Sequence, residues 1–188
     1  MLLVIDNYDS FVYNLVQYLG ALGTTPKVVR NNKIQFDEIE KMCPRGIVIS
    51  PGPGNPEGAG MCLEIIRRFS GKIPILGVCL GHQCIGTVFG ARISMARELV
   101  HGKTSVIHHQ GLGILDGIPQ GINVARYHSL ILDKDSIPEE LLITAVSEDG
   151  TVMAVQHKTH ATFGVQFHPE SLASEYGMEI LGNFIKMI

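Results

Sequence analysis

The chain has 188 residues, 45% of them hydrophobic and 18% charged, with a formal net charge of −3. That mixture excludes a disordered or fibrous chain and predicts one globular domain over 1–188 with a core of its own. The small negative charge, with no block of Lys and Arg, gives no footing for a nucleic-acid surface. The apolar start "MLLVI" runs straight into an acid, so neither a signal peptide nor a membrane span is predicted and a cytoplasmic place is expected.

From the N-terminus, "LLVID" (2–6) is an apolar run of strand length. Asp9 or Ser10 then stands where it can cap a helix with Phe11, Leu15, Tyr18, Leu19 and Leu22 on one face. "KVVR" (27–30), "GIVIS" (46–50) and "IPILGV" (73–78) repeat the strand signal, and "FDEIEKM" (36–42) and "MCLEIIRRF" (61–69) read as helices between them. Short apolar runs alternating with helices predict an α/β fold: a single-domain, open, mostly parallel twisted sheet with helices on both faces. After about residue 100 the pieces become closely spaced and β-like: "TSVIHH", "NVARYHSLIL", "LLITAVS", "TVMAVQHK" and "ATFGVQF". They predict an antiparallel portion added to the same sheet. A last helix over 174–187 carries Met178, Leu181, Phe184 and Ile185 on one face.

In open α/β sheets the ligand crevice lies outside the carboxyl ends of the strands. Three unusual segments follow predicted strands there: "SPGPGNPEGAG" (50–60), "CLGHQ" (79–83) and "HPES" (168–171). The run Gly77-Val78-Cys79-Leu80-Gly81 has the layout of a nucleophile elbow with sulfur in place of oxygen. A thiol at a helix N-terminus is favoured as thiolate, and the N–H groups there, that of Leu80 first, can receive an oxyanion. Taken alone, the motif is as consistent with tight strand–helix packing as with catalysis.

His168 and Glu170 flank Pro169, which holds the segment extended so that both side chains can share one side. An imidazole and its orienting carboxylate are what a cysteine nucleophile needs. The other seven histidines (82, 101, 108, 109, 128, 157 and 160) have no comparable constellation and are read as surface or supporting residues. His108 and His109 lack acidic or cysteine ligands at metal-binding spacing, so no metal site is predicted. Cys43, Cys62, Cys79 and Cys84 form no C-x-x-C pair and are expected to be free thiols, three of them buried or partly buried. Gly52 and Gly54 would let the backbone approach a small ligand. No G-K-[ST] follows them, which speaks against phosphate.

"SPGPGNP", "GVCLGHQ" and "FHPES", in this order, resemble the class I (triad) glutamine amidotransferase domain across essentially the whole chain. "IDNYDSFVYNL", "HGKTS" (101–105) and "ARYHSL" (125–130) are further similar to the glutaminase subunits of anthranilate synthase and aminodeoxychorismate synthase. The resemblance implies Cys79 as nucleophile, His168 as acid and base, and Glu170 as orienter. It implies oxyanion donors at Leu80 and Gly52, and a glutamine site made by Gly52, Pro53, Gly54, Gln83, Ser129 and Leu130. It also implies L-glutamine as substrate and, as partner, a separate chorismate-using synthase subunit. That partner is expected to dock over Asn7, Tyr8, Asp9 and the loops at 102–104 and 127–130. No cofactor is implied in this chain, and any Mg2+ would belong to the synthase partner. The alternatives are the glutaminase of a two-chain GMP synthetase, a cysteine peptidase or γ-glutamyl hydrolase on the same elbow, and a regulatory module without turnover.

Overall fold

The computed structural model describes residues 1–96 and 102–188, so His101 lies outside the described residues. In chain order the elements are β1 (Leu2–Asp6), α1 (Val12–Ala21), β2 (Pro26–Arg30), α2 (Phe36–Met42), β3 (Gly46–Ile49), α3 (Cys62–Phe69), β4 (Ile75–Val78) and α4 (Leu80–Val88). There follow β5 (Ile93–Met95), β6 (Lys103–His109), β7 (Ile122–Arg126), β8 (Leu130–Leu132), β9 (Leu141–Ser147), β10 (Val152–His157), β11 (Thr162–Val165) and α5 (Gly177–Ile185).

Nine strands form one sheet in the order β2-β1-β3-β4-β11-β10-β9-β6-β7. β2, β1, β3, β4 and β11 run parallel, and the remaining four pair antiparallel. The period-2 geometry of a strand divides the apolar side chains between two faces. Leu2, Val4, Val48, Leu76 and Val78 pack with Val12, Leu15 and Leu19 of α1 and with Ile180, Leu181 and Phe184 of α5. Leu3, Ile5, Ile47, Ile49 and Ile75 pack on the other side with Ile39 of α2, Ile65 and Ile66 of α3, and Cys84 and Ile85 of α4. Each such Leu or Ile taken fully out of water contributes roughly 1.5–3 kcal/mol, so both faces are well anchored.

From β1 the chain steps outward to β2 and returns across β1 to β3, which reverses the strand order between β1 and β3. Such a switch point leaves a crevice where the connections from neighbouring strands diverge.

Several local expectations are corrected. Neither Asp9 nor Ser10 caps α1: its N-cap is Phe11, without a side-chain cap. The acids bind the preceding loop instead. Asp6 Oδ1 accepts from the N–H groups of Tyr8 (2.8 Å) and Asp9 (3.3 Å), and Asp9 accepts from that of Phe11 (2.8 Å). A short carboxylate reaches an amide two residues ahead more easily than one in the helix proper. Phe11 is accordingly turned outward and exposed. In α5 the buried face is Gly177, Ile180, Leu181 and Phe184, with Met178 and Ile185 at its margin. Cys43 is exposed at the left-handed end of α2, and all four cysteines are free thiols.

The run 123–132, expected as one strand of the main sheet, breaks at Tyr127. Its first part is β7, and its second is β8, paired with β5 in a separate two-stranded ribbon. β5 carried no clear sequence signal, because three residues, none of them buried, are too few for a period. Among the described residues, no helix is long and apolar enough to cross a membrane.

Candidate active site

Cys79 occupies the corner between β4 and α4 with φ 51° and ψ −100°. A side chain seldom tolerates this conformation, which costs on the order of 1–3 kcal/mol and persists only where the surroundings enforce it. Here they do. The Cys79 N–H donates to the Val165 carbonyl (2.8 Å), and the Cys79 carbonyl accepts from the Gln83 N–H (3.1 Å). The flanking glycines are required by close approach: a Cβ on Gly77 would fall onto the main chain of Gly81, and one on Gly81 onto the Ile49 carbonyl. The helix therefore starts in direct backbone contact with the sheet, with Cys79 buried at the junction.

Across the corner, His168 and Glu170 are both buried, and His168 Nδ1 meets Glu170 Oε1 at 2.7 Å. The second nitrogen, Nε2, is buried with no hydrogen-bond partner. Burial opposes a charge on this ring, but the neighbouring Cys79 sulfur and the Glu170 carboxylate outweigh it and raise the His168 pKa to about 10. Tyr127 stands edge-on to the imidazole, with ring centroids 5.1 Å apart and planes at 84°.

A cavity of about 190 Å³ opens above Cys79, lined by Gly52, Pro53, Gly54, Gln83, Tyr127, His128, Ser129 and Leu130. The loop carrying Gly52 is fixed from below. The Asn7 N–H donates to Ser50 Oγ (2.9 Å), and its side-chain amide to the Ser50 carbonyl (2.8 Å). Asn31 in turn donates to Asn7 Oδ1 (2.9 Å). A Cβ on Gly52 would collide with Asn7, so the loop rests against β1 through bare backbone. Asn7, expected on an exposed docking face, is thus a buried anchor, whereas Tyr8 and residues 102–104 are exposed as expected and Asp9 is half-buried. Leu80 is absent from the cavity wall. Its side chain packs into the core and its amide is the first of α4.

A protonatable imidazole, an oriented carboxylate and a thiol on a strained corner at the floor of a small cavity make up the equipment for attack on an acyl group. A wider depression of about 410 Å³ lies over β6 and β9 beside His108 and His109, away from this chemistry. Among the described residues, no group of three or more His, Cys, Asp and Glu side chains is arranged to hold a metal.

The model of the class-I glutamine amidotransferase family matches residues 3–188. The chain belongs to the class-I glutamine amidotransferases. It is 52% identical to anthranilate synthase component 2 of Pseudomonas aeruginosa (99% of this chain, 95% of that protein) and 51% identical to the aminodeoxychorismate/anthranilate synthase component 2 of Bacillus subtilis (99% and 96%). It is also 54% identical, over 98% of its length, to a bifunctional protein of Thermotoga maritima, of which it spans 32%. Among solved structures, a putative GMP synthase subunit from Thermoplasma acidophilum superposes with a TM-score of 0.88 at 29% identity, covering 99% of this chain and 92% of that one.

The loop at 127–130, expected on the partner-docking face, lends Tyr127 and His128 to this amidotransferase's cavity wall, and Gln166 escaped the sequence reading. Gln166 donates to the Cys79 sulfur (3.7 Å) and accepts from Gln83 (3.2 Å). Alternation along 163–167 held the available signal: Phe163, Val165 and Phe167 share one core face, which sends Gln166 to the other, where α4 lies. Tyr127 and His128 sit on a break between strands, where no period operates. Of the histidines left to the surface or a supporting place, His82, His109, His128 and His157 are buried, and His108 is exposed. Burial pushes His82 down to about 3 and, together with the Arg126 charge, His128 down to about 4, so both are neutral.

Proposed function

We propose that this amidotransferase is the glutaminase subunit that supplies ammonia to a separate chorismate-using synthase subunit for the making of anthranilate. In this reading the Cys79 sulfur attacks the side-chain carbonyl of L-glutamine. The resulting oxyanion rests on the N–H groups of Leu80 and Gly52. His168 passes its proton to the departing nitrogen, ammonia leaves, and a glutamyl thioester remains on Cys79. Water then enters with His168 as base, and glutamate is released by return of the proton to sulfur. Glu170 holds His168 Nδ1 throughout. Gly52, Pro53, Gly54, Gln83, Ser129 and Leu130 hold the amino-acid end of the substrate. No cofactor takes part in these steps, and any Mg2+ requirement falls to the synthase partner.

The observation that carries this reading is the pairing of His168 with Glu170 at 2.7 Å, while its other nitrogen, buried and unpartnered, is left for Cys79. The partner and product are supported by relatives named component 2 at 51–52% identity over nearly the full chain, against 29% for the putative GMP synthase subunit. The double name of the Bacillus relative favours aminodeoxychorismate as the second reading.

The test is to assemble the chain with an anthranilate synthase component 1 and supply chorismate and glutamine. Glutamate and anthranilate should form together, and Cys79→Ser should abolish glutamine-dependent product while leaving synthesis from added ammonium salts intact. Glutamine-dependent turnover that survives Cys79→Ser would remove Cys79 as nucleophile. Product only with an aminodeoxychorismate synthase partner would move the assignment to the second reading.

A further inference from the structure

The motif "ARYHSL" contributes Ser129 and Leu130 to the cavity, but Arg126 and His128 play no part in the proposed reaction. Both are buried. Arg126 spreads its guanidinium over four acceptors: Asp149 Oδ2 (3.0 Å), Ser105 Oγ (3.1 Å), Thr151 Oγ1 (3.3 Å) and, through Nε, His128 Nε2 (3.1 Å). An arginine only donates, so His128 Nε2 must carry the lone pair and the ring proton must sit on Nδ1. That proton points to the Leu130 carbonyl at 3.1 Å. The same carbonyl accepts from Gln83 Nε2 (2.9 Å), and the neighbouring Ser129 carbonyl accepts from the Ala96 N–H (2.8 Å). Both carbonyls of the cavity wall are thereby turned into the protein and fixed. Asp149, partly exposed, anchors the far end. Partial burial works against its charge, yet donors from Ser147, Thr151 and Arg126 hold it well below the usual carboxylate range.

We propose that Arg126 and His128 are positioning residues for substrate recognition: Arg126 imposes the Nδ1–H tautomer on His128, which fixes the 128–130 wall against which the amino-acid end of the substrate is held. The inference rests on the reading of this cavity as a glutamine site. Thiol chemistry at Cys79 does not pass through the pair, so the pair controls affinity rather than the reactivity of sulfur.

The test uses two electrophiles on the purified chain, followed by mass spectrometry of the Cys79 peptide. The diazoketone analogue of glutamine must seat its amino-acid end before it alkylates, whereas iodoacetamide has none to seat. In Arg126→Met and His128→Gln, which lose the tautomer lock and the Nδ1 donor respectively, the concentration of analogue giving half-maximal labelling should rise about tenfold or more, equivalent to roughly 1.4 kcal/mol. The rate with iodoacetamide should match wild type. His128→Asn, whose side-chain amide can replace the donor at Nδ1, should lose less than His128→Gln. Unchanged analogue affinity in the variants would overturn the proposal while leaving the glutamine reading intact. So would losses in both reactions that track thermal unfolding, or no difference between Asn and Gln. An analogue that fails to label wild-type Cys79, while iodoacetamide succeeds, would instead overturn the glutamine reading on which the proposal rests.

Discussion

The two halves of the sheet furnish the site by different means. On the parallel side, β1, β3 and β4 deliver Asn7, the Gly52 loop and Cys79 through main-chain contact, with Gly52, Gly77 and Gly81 placed where a Cβ would strike a neighbouring main chain or side chain. On the far side, β7 and the segment after β11, the last parallel strand, deliver His128, His168 and Glu170, secured by side-chain hydrogen bonds among buried polar groups, with Tyr127 edge-on to His168. A backbone-built corner tolerates almost no added volume, whereas a polar network tolerates volume but not the loss of a partner. The nucleophile is thus set by sterics and its base by electrostatics.

The contrast is broken most severely by Gly81→Ala. The added methyl lies against the Ile49 carbonyl and cannot rotate away, so α4 must lift off the sheet. A loss of more than about 3 kcal/mol in urea unfolding is expected, and a near-neutral result would show that the corner yields.

Within the polar network, Glu170→Gln keeps the volume and removes the charge. It should cost stability at and below neutral pH, lower kcat for glutamine by about 10²–10⁴, and bring the His168 pKa down from about 10, because the carboxylate that favours the imidazolium is gone. A ring-proton NMR titration reads the shift, and an unaltered His168 titration would refute the carboxylate's role. A group raised in the folded state stabilises fully below its unfolded value near 6.5, and that contribution fades as the pH rises through about 10.

The smallest effect sharpens the comparison inside α4. His82 is wholly buried, both ring nitrogens are unpaired, and its pKa is about 3. The unfolded chain binds its proton near 6.5, so His82 weakens the fold as the pH falls below that value, opposite in sense to His168. His82→Leu should recover about 2 kcal/mol at pH 5 relative to pH 8, read as a flatter pH dependence of Tm. An equal slope in wild type and variant would discount His82.

The strands of the parallel half were legible because each is a short apolar run between helix signals. α2 and β9 match the expected spans residue for residue, 36–42 and 141–147. Cys79, His168 and Glu170 were legible because the glycines and proline around them report special backbone. The turn at Tyr127 was not. β7 and β8 form one β-like run in sequence, and only their partners in space, β6 for one and β5 for the other, separate them. Phe11 shows the same failure in reverse. Helical spacing assigned it to the core, while the loop bonds of Asp6 and Asp9 delay the helix and leave Phe11 outside, stacked on Tyr127 at 6.0 Å.

Sequence alone determined the alternation of strands and helices, the corner that bears the cysteine, and the carboxylate placed two residues from an imidazole, because all three are governed by neighbours along the chain. Tertiary structure decided that Gln166 faces the Cys79 sulfur and that Asn7 holds the Gly52 loop from below. Those outcomes rest on hydrogen bonds between residues 43–87 positions apart, and only the stacking order of the sheet brings such residues together.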